Sequence, residues 1–109
     1  MTEQEGGFRI EVRGHHFEPS PELIDYATKH VGKLGRFFDG LRRVELILKQ
    51  DDGLQFEAEL LAHVVRGKQL VAEGSSDKAM TVAVDAAVDR MERQLVRFKE
   101  RLRDRRTRG

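Results

Sequence analysis

The chain has 109 residues, with no cysteine, no tryptophan and two prolines, and its 20 basic and 19 acidic side chains leave a formal net charge of +1. That length suits one domain around one core, and the missing cysteine excludes a disulfide framework, a thiolate metal site and a thiol nucleophile. No apolar run is long enough to span a bilayer, and residues 1–7 (MTEQEGG) lack the basic start and apolar stretch of a signal peptide, so the expected setting is cytoplasmic, away from membranes.

In chain order, residues 1–7 show no periodicity and are expected to form a disordered tail ahead of a domain over residues 8–104. Residues 8–14 (FRIEVRG) alternate Phe, Ile and Val with charged residues, the period of a half-buried strand. Ser20 followed by Pro21 marks a helix start, because Ser caps free N–H groups and Pro suits the first helical position. Leu23, Ile24, Ala27, Val31 and Leu34 then recur at helical spacing, until Gly32 and Gly35 weaken the helix by about 1 kcal/mol each relative to alanine.

Residues 43–50 (RVELILKQ) and 55–65 (QFEAELLAHVV) read as two strands joined by a hairpin at Asp51-Asp52-Gly53, and residues 69–73 (QLVAE) as a fourth. Ser75-Ser76-Asp77 offers caps for a last helix over about residues 78–103, with Met80, Val84, Ala87, Met91, Leu95, Phe98 and Leu102 on one stripe. The fold class is therefore α+β: a single-layer four-stranded sheet in the order β-α-β-β-β-α, both helices on one face and the flanking strands of the first helix parallel. Residues 105–109 are expected to form a basic tail.

The small net charge conceals a strong asymmetry. Residues 97–109 hold seven basic side chains against two acidic ones, a net +5, which leaves −4 for the rest of the +1 chain. At about 100° per residue, Arg90, Arg93, Arg97 and Arg101 fall within roughly 80° of one another beside the apolar stripe of the last helix. The first helix and its end supply Lys29, His30, Lys33 and Arg36. Together these residues could line a basic groove between the helices, suited to a phosphate backbone and sensitive to salt. The competing reading is a solvated face on which pairs such as Asp89–Arg93 contribute a few tenths of a kcal/mol each.

Little else carries chemistry. Gly32-Lys33-Leu34-Gly35 matches the GXXG loop of KH domains, but no full helix follows before the next strand, and Leu34 continues the apolar face. His15, His16, His30 and His63 have no metal-ligand spacing, and His63 is expected to fill a partly exposed structural place on its strand. Asp51-Asp52 is explained by its turn. With no nucleophile elbow, phosphate loop or dinucleotide fingerprint, the expectation is a non-enzyme without metal, cofactor or small-molecule substrate.

The run Asp85-Ala86-Ala87-Val88-Asp89-Arg90-Met91-Glu92-Arg93-Gln94-Leu95-Val96-Arg97-Phe98-Lys99 closely resembles the second helix of the ribosome hibernation-promoting factors, which include the ribosome-associated translation inhibitors and are also called sigma-54 modulation proteins. Leu23, Tyr26, Lys33-Leu34 and Phe37-Phe38-Asp39 resemble that family's first helix and its ending, and Ala72-Glu73-Gly74-Ser75 the strand end before its second helix. The resemblance spans roughly residues 8–103 and implies a domain that binds the small ribosomal subunit between head and body. It further implies contact with ribosomal RNA through the two helices, and closure of the messenger and transfer RNA path under stress. The basic positions it carries over are Lys33, Arg90, Arg93, Arg97, Lys99 and Arg101, while His30 stands where lysine is common. The expected partner is the small subunit, the expected free state a monomer, and the expected class the short forms without a dimerisation domain. The alternative function is a protein-interaction module on the same fold that binds no RNA.

Overall fold

The computed structural model describes residues 2–5, 7–51 and 55–108, with side chains over 7–51 and 55–104. The elements are β1 (Thr2–Glu5), β2 (Phe8–His15), α1 (Pro21–Gly32), a 3-10 turn (Lys33–Arg36), β3 (Leu41–Asp51), β4 (Gln55–Val64), a short turn (Val65–Gly67), β5 (Lys68–Ser76) and α2 (Met80–Arg108). From β2 onward this is the expected β-α-β-β-β-α order, with the four strands β2 to β5 adjacent in sequence order. β2 and β3 run parallel with α1 as the crossover, while β3–β4 and β4–β5 are antiparallel.

The alternation in the sequence sets the core. Val12 is in register with Leu46, Leu46 with Leu60, and Leu60 with Ala72, so one apolar row crosses four strands. Every residue of that row is buried, and Ala27, Val31 and Leu34 from the first helical segment and Val84, Met91 and Leu95 from α2 close over it. Each fully buried Leu, Val or Met side chain contributes about 1.5–3 kcal/mol of hydrophobic stabilisation.

Helix ends follow the expected chemistry. Ser20 caps α1, its hydroxyl accepting from the Leu23 N–H at 3.2 Å, with Pro21 as first helical residue. At Gly32 the α-helix gives way to the 3-10 turn, whose Leu34 is fully buried, so the GXXG stretch is part of the core-facing helix end and not an open loop. Before α2, the Ser76 hydroxyl accepts from the Lys78 and Ala79 N–H groups at 3.0 and 3.4 Å.

Two expectations at the chain ends are corrected. Thr2–Glu5, assigned above to a disordered tail, forms a fifth strand antiparallel to β2. Its all-polar sequence has no apolar alternation, and its pairing rests on backbone hydrogen bonds to a sheet edge, which leave no side-chain signal. Residues 105–108, assigned to a tail, continue α2 to Arg108. Asp52 and Gly53 of the expected hairpin lie outside the described residues.

One glycine decides how α2 sits. Gly74 on β5 faces α2 so closely that a Cβ there would strike the Ala83 carbonyl and lie 2.6 Å from the Ala87 nitrogen. The helix backbone therefore rests directly on β5, with the small Ala83 and Ala87, both fully buried, at the contact.

Candidate functional site

This close approach turns the arginine side of α2 toward the β5 edge. Arg90, Arg93, Arg97 and Arg101, together with Gln94, line one open hollow there. Arg90 donates a guanidinium N–H to the Glu73 carbonyl, and the Gln94 amide donates to the Val71 carbonyl at 2.6 Å. β5 is the outermost strand on that side, so two α2 side chains satisfy carbonyls of an edge strand. Arg93 pairs with Asp89 at 2.8 Å, an exposed i,i+4 pair worth a few tenths of a kcal/mol. Among the described residues Arg97 and Arg101 make no ion pair and remain open to a ligand.

A cation that the sequence pattern did not single out joins this flank. Lys68, the first residue of β5, shares a hollow with Arg101 over Leu70, Phe98 and Leu102. Only strand placement brings it there, since nothing in the local sequence marks it.

The other flank of α2 faces α1, and its chemistry differs. The Tyr26 hydroxyl hydrogen-bonds Asp85, the His30 ring stacks on Tyr26 with centroids 4.2 Å apart, and His30 Nδ1 lies 3.5 Å from Asp85. Partial burial and then the Asp85 carboxylate push the Tyr26 hydroxyl pKa above its usual 10. Lys29 is paired with Asp25 at 3.2 Å. Lys33 and Arg36 are exposed on the 3-10 turn, and Lys99 lines a separate hollow with Phe38, Asp39 and Gly40.

The nine expected site residues thus occupy two sectors and do not line one groove between the helices. At about 100° per residue, Asp85 and the four-arginine row stand roughly 80–160° apart around α2. Since Asp85 faces α1, the row faces away from it. Arg90, Arg93, Arg97 and Arg101 are brought together; Lys29, His30, Lys33, Arg36 and Lys99 lie on the α1 side.

The sheet face opposite the helices carries its own polar network. His63 Nε2 lies 2.7 Å from Glu45 Oε2, with the Arg43 and Arg13 guanidinium groups 3.5 and 3.3 Å from the same carboxylate. The His63 hydrogen bond, followed by the two arginines, outweighs burial and holds the Glu45 carboxyl below its ordinary pKa. No group of three or more His, Asp or Glu among the described residues is arranged to hold a metal, and no described helix is long and apolar enough to cross a membrane.

Known proteins are similar to this chain in sequence and in fold. A ribosome hibernation promoting factor of Klebsiella oxytoca is 32% identical over 96 residues, covering 87% of this chain and 97% of the relative. The crystal structure of the Thermus thermophilus Protein Y N-terminal domain superposes with a TM-score of 0.69 at 28% identity, covering 82% of this chain and 94% of that one. A ribosomal subunit interface protein from Coxiella burnetii shares the fold, with a TM-score of 0.72 at 23% identity over 84% of this chain and 97% of its own. Residues 10–103 match the family described as Sigma 54 modulation protein / S30EA ribosomal protein, and the chain belongs to that family.

Proposed function

We propose that this protein is a ribosome-associated translation inhibitor that binds the small subunit through ribosomal RNA and occupies the messenger and transfer RNA path under stress. The observation that carries the reading is the open row of Arg90, Arg93, Arg97 and Arg101 on α2, in a chain whose relatives are named as hibernation promoting factors. Arginine forks suit phosphate oxygens, and a row of them along a rigid helix binds a backbone without reading bases. Lys33, Arg36 and Lys99 on the α1 side give the domain a second cationic surface, with Lys29 and His30 at its margin.

The proposed protein acts by occupancy. It works as a cytoplasmic monomer when off the ribosome. Cell-free translation with purified protein tests the reading: added in stoichiometric excess over ribosomes, it halts synthesis and sediments with small subunits at low salt. Undiminished synthesis with no sedimentation would overturn it.

A further inference from the structure

The hydrogen bonds from Arg90 to Glu73 and from Gln94 to Val71 run in opposite chain directions, so α2 lies antiparallel to β5 along this edge. Four helical residues rise about 6 Å, and two strand residues span about 6.6 Å. Arg90 and Gln94 therefore keep pace with Glu73 and Val71, each long side chain reaching the next carbonyl of one edge.

These carbonyls are the ones an added strand would need. In an antiparallel ladder alternate residues turn both N–H and C=O toward the partner strand, and the residues between turn both away. Val71 and Glu73 give their carbonyls to α2, not to β4, so with Gln69 they form the outward set of β5. β5 is nine residues long and outermost, the kind of edge that templates association. It is also self-complementary: about a two-fold axis at Val71, that residue stands opposite itself and Gln69 opposite Glu73 on both sides. Val71 is 44% exposed, so such pairing covers an apolar side chain that a single chain leaves in water.

We infer that the β5 edge is a latent strand-pairing surface for a second copy of this chain, held shut by Arg90 and Gln94. The inference rests on the monomeric free state proposed above and gives it a cause. Arg93, Arg97 and Arg101 line the same edge hollow, so a second copy would also bring like charges together.

Sedimentation equilibrium at about 1 M salt, where a Debye length of about 3 Å screens that repulsion, isolates the hydrogen-bond guard. Arg90→Ala/Gln94→Ala removes both donors and favours the helix. This double is expected to pair at least about tenfold more tightly than the parent, its Val71 and Glu73 amides exchanging more slowly as concentration rises. Arg93→Ala/Arg97→Ala removes two charges from the row but neither guard, and is expected to behave as the parent does. Adding Val71→Lys to the first double sets two lysines face to face and is expected to abolish pairing. A folded first double no more associated than the parent overturns the inference. So does association that survives Val71→Lys, or that the second double matches. If the first double fails to fold, Gln94→Ala alone is read by the same criteria. A parent that is itself dimeric defeats the monomeric reading, whereas a monomeric parent with an indifferent first double removes only the guard.

Discussion

The Tyr26 hydroxyl lies 2.8 and 3.0 Å from the two carboxylate oxygens of Asp85, a polar tie between α1 and α2 across 59 residues of sequence. It fixes which flank of α2 meets α1, and so sends the arginine row to the opposite side. Tyr26→Phe keeps the ring stacked on His30 and loses only the hydroxyl. For a bond this exposed the cost is about 0.5–1 kcal/mol, a fall of roughly 2–8 °C in Tm. Calorimetry checks it, and an unchanged Tm contradicts the tie.

Gly74→Ala tests the seat of α2. The added methyl would press on the Ala83 and Ala87 backbone, which cannot swing aside as a side chain can. The expected loss is about 1–3 kcal/mol, read as a lower urea midpoint with little change in m-value. A stability equal to the parent's would mean that α2 does not rest on β5 as described.

Arg90 and Arg97 belong to one row but have different duties. Arg90→Gln removes the donor to the Glu73 carbonyl as well as a cation, so about 0.5–1.5 kcal/mol of stability is lost along with ribosome affinity. Arg97→Gln is expected to weaken binding and leave Tm within a degree or two, because no protein group accepts from it among the described residues. Parallel melting and sedimentation of the two variants separate the roles. Equal melting losses would erase the distinction.

The Glu45 network predicts the acid side of the stability curve. Its folded-state pKa is lowered, chiefly by the hydrogen bond with His63. Its contribution is therefore complete above the unfolded value near 4.5 and is lost as pH falls through the folded value. In a urea-melting series against pH, Glu45→Gln is expected to be less stable than the parent at neutral pH, with the two curves converging in acid. Parallel curves across the whole range would contradict this.

The comparison of sequence with structure is instructive at particular residues. Alternation such as Phe8, Ile10 and Val12 announces strands because water and core impose a period of two, and Ser20-Pro21 announces α1 through its capping chemistry. Thr2–Glu5 was illegible because backbone pairing leaves no side-chain pattern. The angular position of the arginine row was legible from helical geometry alone. Which neighbour that row would face was not, since it depends on how α2 is rotated on the sheet. That rotation is set by Gly74 against Ala83 and Ala87, and by Asp85 against Tyr26, contacts between distant parts of the chain. Lys68 was missed for the same reason.

The most direct test of the central claim is the salt dependence of small-subunit binding for the parent and for Arg93→Glu/Arg97→Glu/Arg101→Glu. None of these three side chains bonds across to another element among the described residues, so the variant is expected to melt within a few degrees of the parent. The account predicts that the parent co-sediments at low salt and is released as salt rises, and that the variant stays at the top of the gradient at every salt concentration. A folded triple variant that co-sediments with the parent's affinity and slope would contradict the assignment of the α2 row as the RNA-binding surface.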